Sequence, residues 1–232
     1  MFQEQVIWGG AMCLSGVYTY SQRDILIRVF TKRTGAYMTA LQKPKIIRTE
    51  NIAQSRLFSI QSVALEFSNG AERVYERMRP ANRESVLIVP VIGNELILIQ
   101  EYAAGIEKYE LGFPKGAIDP GEDMLTAANR ELKEEIGFGA QVLTPLRKVT
   151  MSPSYFSGRM NILIATGLYP EKLEGDEPEP LIQVRWPVSD MMDLLTHPDF
   201  NEARNITALL LAQHYLSQMS QNGELPIFNT NK

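Results

Sequence analysis

The chain has 232 residues, 44% of them apolar and 22% charged, which is typical of one globular domain of ordinary size with a small appendage. Its net charge of −4 argues against a general affinity for nucleic acid, and no apolar run reaches the ~18 residues that a membrane span requires. A single cysteine, Cys13, excludes an intrachain disulfide, so we expect a reducing, cytoplasmic setting. The sequence contains no His/Cys cluster that would indicate zinc.

Residues 1–37 differ in pattern from the rest of the chain, and two interpretations of them are open. They form either a real extension or translated upstream sequence, with Met38 as the true start. The second is favoured because regular patterning begins only after Met38. We therefore divide the chain into an atypical extension (1–37), an N-terminal strand and hairpin region (38–82), a main domain (83–222) and a flexible tail (223–232).

A β-hairpin is predicted over residues 56–79. Two alternating segments flank Asn69-Gly70, and Asn-Gly between such segments is the strongest short-range hairpin signal. A two-stranded hairpin is marginally stable by itself, so it must pack on the main domain or on a second subunit.

The main domain alternates β-rich runs with helical segments. The continuous apolar character of the first two runs indicates central strands buried on both faces. The predicted strands are 84–90, 96–100, 109–113, 142–149, 160–166 and 182–186; the predicted helices are the segment before Gly137, 189–195 and 201–218. This order predicts an α/β fold in which a mixed sheet lies between helices, an α/β/α sandwich preceded by a β-hairpin.

The segment 116–138 is the most informative part of the chain. Pro120-Gly121 predicts a turn, and Gly137 predicts the end of a helix. Between them, the spacing of four apolar residues predicts one buried helix face: Leu125, Ala128, Leu132 and Ile136.

On a different face, Glu131, Glu134 and Glu135 stand at i, i+3 and i+4, which brings three carboxylates together. Like charges at this spacing destabilise a helix by a few tenths of a kcal/mol per pair, so the cluster does not stabilise the helix by itself. A hard divalent cation such as Mg²⁺, which prefers oxygen ligands, would make it favourable. The alternative is a solvated acidic face.

The same segment resembles the Nudix box, G-x5-E-x7-R-E-U-x-E-E-x-G-U, where U is a bulky apolar residue. It matches at every fixed position: Gly116, Glu122, Arg130, Glu131, Leu132, Glu134, Glu135, Gly137 and Phe138. The resemblance implies a Nudix fold over roughly residues 45–220. It also implies a hydrolase that cleaves nucleoside diphosphates linked to another moiety, with Mg²⁺ or Mn²⁺ as the cofactor.

The resemblance also implies roles for the residues of the box. Glu131 and Glu135 would be the main metal ligands. Glu134 would be a further ligand or an outer-shell catalytic group, and the backbone carbonyl of Lys115 or Gly116 would complete the site. Glu122 and Arg130 would pair so that the loop closes onto the helix, with Gly116 and Gly137 as structural glycines.

Other runs, such as 65–70, 74–80, 109–113 and 174–180, resemble bacterial Nudix enzymes that act on adenosine diphosphate compounds: ADP-ribose, NADH and short diadenosine polyphosphates. This implies release of AMP and a homodimer to which the hairpin contributes. Ala103 stands where ADP-ribose-specific enzymes often carry an Arg, which argues against strict ADP-ribose specificity.

The remaining site residues come from loops and from the hairpin. A loop carboxylate takes the proton of the attacking water in related enzymes, and Glu174, Glu177 and Glu179 are the candidates here; we select Glu177. Phosphate or nucleoside contacts are predicted for Arg77, Arg79, Glu110 and Tyr155, each of which could instead be an ordinary surface or core residue.

Two other functions remain as alternatives. One is a Nudix hydrolase of nucleoside triphosphates or capped RNA; the acidic pI argues against the RNA substrate. The other is a non-catalytic Nudix ligand sensor, which should have lost box carboxylates that this chain retains. We expect a small nucleotide substrate, and neither nucleic acid nor membrane as a partner.

Overall fold

The computed structural model describes residues 41–80 and 84–222. The predictions for residues 1–37, for Met38 as the start and for the tail 223–232 lie outside the described residues. Of the described residues, 41–45 and 66–72 belong to one compact unit, and 46–65, 73–80 and 84–222 belong to another.

The described part of the smaller unit contains a tight turn at 67–71. The Phe67 N–H donates to the Ala71 carbonyl (2.9 Å), and the Ala71 N–H donates to the Asn69 side chain (3.1 Å). Gly70 has φ +79°, a conformation that glycine adopts without steric cost. The Asn-Gly pair therefore forms the turn that the sequence predicts.

The N-terminal sheet of the described chain has strands β1 (Lys45–Gln54), β2 (Ser59–Glu66) and β3 (Glu72–Met78), in the order β1-β2-β3. The predicted hairpin is present as β2 and β3. The sequence analysis predicted a strand and a hairpin within 38–82 but gave no bounds for β1. Its residues are exposed along the whole strand, so β1 lacks the apolar periodicity that would have predicted it.

The main sheet is mixed, as predicted. Its described strands are β4 (Ser85–Ile92), β5 (Glu95–Ala103), β6 (Lys108–Gly112), β7 (Lys115–Ala117), β8 (Phe138–Ser152), β9 (Phe156–Pro170) and β10 (Ile182–Pro187). The central order is β10-β5-β4-β9-β8, with β6 on β5 and β7 on β4. β4 and β9 run parallel, and the other pairs are antiparallel.

Helices cover both faces of this sheet. Helix α1 (Met124–Glu131) continues into a wide π turn (Leu132–Ile136), a 3₁₀ helix covers Val188–Thr196, and α2 covers Ala203–Gln221. Val86 and Ile88 of β4 pack in the α1 core, whereas Leu87 and Val89 pack in the α2 core. The strand is buried on both faces, which accounts for its continuous apolar run and confirms the α/β/α sandwich.

Strands β8 and β9 are each 15 residues long, much longer than predicted. Many of the added residues are exposed or half-buried, so they lack the continuous apolar signal of the central strands. The two strands extend because they hydrogen-bond to each other over nearly their full length, from Phe138↔Pro170 to Ser152↔Phe156.

Side-chain and glycine caps set the two ends of the helix in the predicted box. The Asp123 carboxylate accepts hydrogen bonds from the backbone N–H groups of Leu125 (2.9 Å) and Thr126 (3.0 Å), which caps the helix. Gly137, at φ +75°, ends it, and its N–H donates to the Leu132 carbonyl. The predicted apolar face is correct except for Leu125, which is 42% exposed because it lies in the first turn, outside the sheet contact.

Candidate active site

The box loop, the box helix and the loop between β9 and β10 surround a cavity of about 660 Å³. Its walls carry mainly polar and charged groups, from residues 115–117, Asp119, 130–131, 134–135 and 174–177. The cavity therefore joins the two acidic segments that the sequence singled out, although they lie about forty residues apart in the chain.

Two of the three box carboxylates are buried at this cavity. Glu131 is 8% exposed and Glu135 is 6% exposed, while Glu134 is partly exposed. Burial raises the pKa of Glu135 to about 9 and also raises the pKa of Glu131. Without a cation, Glu135 favours the protonated form at neutral pH, whereas at Glu131 the nearby Arg130 guanidinium opposes the effect of burial on the pKa.

Arg130 organises the box. Its guanidinium donates to both oxygens of Glu122 (3.0 Å each) and to the Ala117 carbonyl (2.9 Å). It also donates to Glu131 and to Glu134 (2.9 Å each). The forked geometry of Arg suits this bidentate pairing. Arg130 and Glu122 thus hold the loop on the helix, in the arrangement that the resemblance implied, and this bond lowers the pKa of Glu122.

The strand before the box approaches the carboxylates closely. The Lys115 N–H donates to Glu135 Oε2 (3.0 Å), and the Lys115 ammonium contacts Glu101. Gly116 faces the Glu131 carboxylate so closely that a Cβ at position 116 would lie well inside 3.0 Å of it. Glycine is required at position 116 because the Glu131 carboxylate fills the space of a side chain.

The donor set fits a hard divalent cation. Among the described residues, no three acidic, His or Cys side chains stand together as a ready ligand group, and the Arg130 guanidinium lies between Glu131 and Glu134. However, a divalent cation would compensate the negative charge of the buried carboxylates whose pKa values are raised. A set of donors made only of oxygen atoms suits Mg²⁺ or Mn²⁺. Glu131 and Glu135 are the residues that would hold such an ion.

The loop between β9 and β10 places Glu177 at the cavity. Burial raises the pKa of Glu177, with Glu101 and Asp176 contributing as nearby negative charges. A carboxylate in such surroundings is a better proton acceptor than an exposed one. Glu174 also lines the cavity, whereas Glu179 does not and instead accepts a hydrogen bond from the Tyr109 hydroxyl (2.5 Å).

The other predicted substrate contacts lie elsewhere. Glu110 lines a neighbouring cavity between β5, β6 and α2, which shares Lys115 with the carboxylate cavity. Arg77 donates to Gln61 (3.3 Å), and the Arg79 N–H donates to the Ser59 carbonyl (2.7 Å).

Tyr155 is likewise away from the carboxylates. Its carbonyl accepts a hydrogen bond from the Met78 N–H (2.8 Å), and its side chain is 53% exposed. Within the described chain, neither Tyr155 nor Arg77 nor Arg79 lines the carboxylate cavity.

Three residues of the site escaped the sequence analysis. Glu101 and Asp176 add negative charge near Glu177, and Asn205 of α2 accepts a hydrogen bond from the Phe113 N–H (2.9 Å), just before the box. Asn205 is 3% exposed. The sequence signal for Asn205 was its place among the apolar positions of α2, because a buried Asn side chain requires hydrogen-bond partners.

Two family patterns match the chain. Residues 81–210 match the NUDIX domain, and residues 44–77 match the NudE-type Nudix hydrolase N-terminal domain. The chain belongs to the Nudix family of pyrophosphohydrolases, as its box predicted. Nudix hydrolases of the ADP-ribose type depend on a divalent metal ion.

The relatives include enzymes of adenosine nucleotide metabolism. The chain is 66% identical to ADP compounds hydrolase NudE of Escherichia coli over 177 residues, which are 76% of this chain and 95% of that protein. It is 25% identical to ADP-ribose pyrophosphatase of Bacillus subtilis over 171 residues, 73% of this chain and 92% of that one.

A crystal structure of an ADP compounds hydrolase superposes on the chain with a TM-score of 0.76 and 63% identity, covering 80% of this chain and 99% of that one. The predicted resemblance and fold are confirmed. No helix among residues 41–80 and 84–222 combines the length and the apolar character needed to cross a bilayer.

Proposed function

We propose that this protein hydrolyses the pyrophosphate bond of adenosine diphosphate compounds, such as ADP-ribose, NADH and short diadenosine polyphosphates, and releases AMP. The observation that carries the proposal is the pair of buried carboxylates, Glu131 and Glu135, on an intact box beside the acidic loop. The substrate class is supported by the 66% identity to an ADP compounds hydrolase.

Mg²⁺ or Mn²⁺ is the proposed cofactor, held by Glu131 and Glu135. The Lys115 carbonyl would be a third ligand, and Glu134 would be either a further ligand or a catalytic outer-shell group. When bound, the metal would neutralise phosphate charge and lower the pKa of the attacking water. In the absence of the ion, Arg130 bonds to Glu131 and Glu134 and so fixes the positions of these two carboxylates.

Glu177 is the proposed general base. A water oxygen attacks one phosphorus of the diphosphate, and the bond between that phosphorus and the bridging oxygen breaks. The water proton passes to Glu177, and AMP leaves with the other phosphate ester. The raised pKa of Glu177 supports this role, because it brings the proton affinity of the carboxylate closer to what the step requires.

The substrate contacts at Arg77, Arg79, Glu110 and Tyr155 remain proposals. Glu110 has direct support, because its cavity adjoins the carboxylates through Lys115. A nucleotide with its diphosphate at the carboxylates could extend into this second cavity.

The function is tested by product analysis. Wild type is incubated with ADP-ribose, NADH, diadenosine triphosphate and a nucleoside triphosphate, with Mg²⁺ or with Mn²⁺. AMP should appear from at least one of the first three substrates. Glu135→Gln should lower kcat/KM by roughly 10³-fold or more, since it removes a charged ligand from a preorganised electrostatic site.

The matched control is Glu95→Gln, the same substitution at an exposed position on β5 of the same sheet. It should leave the rate unchanged. Pyrophosphate release from the triphosphate without AMP from the other substrates would instead support the triphosphate hydrolase. Absence of turnover on all four would support the ligand sensor.

We further propose that the protein is a homodimer joined through its N-terminal sheet. Strand β1 is exposed throughout, and Ile46, Ile52 and Val74 are 49%, 49% and 65% exposed, which is unusual for apolar β-sheet side chains in a monomer. Ile52→Asp should shift the mass measured by light scattering from dimer to monomer. The control is Leu210→Asp, an equally apolar exposed residue on α2.

A further inference from the structure

The loop between β9 and β10 carries the proposed base, and its first end is held by the box helix. The Leu173 N–H donates to the Lys133 carbonyl (3.1 Å), and the Glu171 N–H donates to the Gly137 carbonyl (3.0 Å). Lys133 also forms an ion pair with Glu171 (2.9 Å). The loop therefore leaves β9 in a fixed direction.

Toward its other end, where Leu181 packs against the α1 core, the loop also contacts a side chain of a different element. The Tyr109 hydroxyl, on β6, donates a 2.5 Å hydrogen bond to Glu179 Oε1. The Tyr109 ring is itself fixed, because it packs edge-on against Tyr102, its partner across β5 and β6, with 5.3 Å between ring centroids. A hydrogen bond to an ionised carboxylate is stronger than one between neutral groups.

The residues between these two attachments line the carboxylate cavity. Glu174, Gly175, Asp176 and Glu177 all face it, and Glu177 is only two residues from Glu179. The attachment at Glu179 therefore limits how far the Glu177 carboxylate can move.

We propose that Tyr109 is a positioning residue of the hydrolytic reaction, which holds Glu177 at the cavity through its hydrogen bond to Glu179. The inference depends on the proposed role of Glu177 as the base. A general base must stay within hydrogen-bond reach of the attacking water, and a displacement of about 1 Å can cost up to ~10²-fold in rate. The bond is exposed to solvent, so its loss should cost less than this limit.

The test is Tyr109→Phe, which removes the hydroxyl and keeps the ring packed on Tyr102. We expect kcat for AMP release to fall about tenfold, with KM and the Mg²⁺ requirement unchanged within about twofold, because base positioning acts on the chemical step. Glu179→Ala should have the same effect. Glu179→Gln keeps an acceptor oxygen and should recover most of the loss.

Two comparisons separate positioning from a general structural effect. The double variant Tyr109→Phe/Glu179→Ala should be no slower than either single variant, because both remove the same bond. Tyr215→Phe, which removes a tyrosine hydroxyl from α2 outside both cavities, should keep the wild-type kcat. Backbone order parameters of 174–177 and Glu179 should fall in Tyr109→Phe, while those of α1 stay as in wild type.

Wild-type kcat in Tyr109→Phe, with a large loss in Glu177→Gln, would overturn the positioning role and leave the proposed function intact. Wild-type activity in Glu177→Gln would overturn both the base and the role of Tyr109. If wild type releases no AMP, the proposed function fails. Unchanged order parameters at 174–177 and Glu179 would overturn the attachment itself, whatever the activity.

Discussion

Gly116→Ala tests whether the space beside Glu131 is required for activity. An added Cβ would overlap the Glu131 carboxylate, which is buried and bonded to Arg130. Atoms in contact need about 3.5 Å, so the carboxylate must move by roughly 1 Å or more. The backbone at Gly116 is not in the left-handed region, so alanine introduces no backbone strain.

The size of the effect follows from the proposed ligand role. Mg²⁺ requires near-octahedral oxygen geometry, and a displacement of about 1 Å can cost ~10²-fold in rate, or about 2.7 kcal/mol. We therefore expect kcat/KM to fall about 10²-fold, and the Mg²⁺ concentration for half-maximal activity to rise. Stability should change by less than about 1 kcal/mol, because removing a glycine also reduces the entropy of the unfolded chain.

The assay is AMP release over a Mg²⁺ titration, with thermal unfolding measured on the same samples. Gly105→Ala is the control, since a Cβ at that position meets nothing within 4 Å. It should keep both activity and Mg²⁺ dependence. Wild-type kcat/KM and Mg²⁺ dependence in Gly116→Ala would refute the reasoning, because Glu131 would then tolerate displacement.

Two further predictions concern the same carboxylates and Arg130. Burial raises the pKa of Glu135 to about 9 and also raises that of Glu131, each from 4.5, so the metal-free fold holds protons that the unfolded chain releases. Its free energy of unfolding should fall as pH rises from 4.5 toward about 9, by up to ~1.4 kcal/mol per pH unit for each proton. Because Mg²⁺ displaces these protons, the rise in melting temperature on adding Mg²⁺ should be larger at pH 8.5 than at pH 6. Equal rises at the two pH values would contradict this prediction. Arg130→Lys loses the bidentate hydrogen bonds to Glu122, so chemical denaturation should show a free energy of unfolding lower by about 2 kcal/mol. Activity should fall as well. The exposed Arg48→Lys should show neither change, and a matching loss there would argue against a specific role for Arg130.

The box was predictable because its contacts are local. Glu122, Arg130 and Glu131 lie within ten residues of one another, so a turn and a short helix are enough to bring them together. Continuous apolar runs likewise predicted the central strands, which are buried on both faces. No such signal gave the bounds of β1, because β1 is exposed throughout.

The rest of the site depends on contacts between distant segments. Glu101 reaches the neighbouring cavity through its strand register, and Asp176 reaches the carboxylate cavity through the direction in which the chain leaves β9. Neither can be obtained from spacing along the chain. Arg77 and Tyr155 were selected by residue type, and within the described chain they do not line the carboxylate cavity, so their substrate contacts stay a prediction.

The wide turn at Leu132–Ile136 has a consequence for how this chain tolerates changes in length. A π turn contains one residue more than an α turn, so deletion of a single residue there can be absorbed by conversion to ordinary helix, with the Gly137 end preserved. Such a deletion would nevertheless rotate the side chain of Glu134 or Glu135 about the helix axis, away from its present direction. We therefore expect a deletion at this position to keep the fold and to abolish hydrolysis if the proposed ligand roles of Glu134 and Glu135 hold.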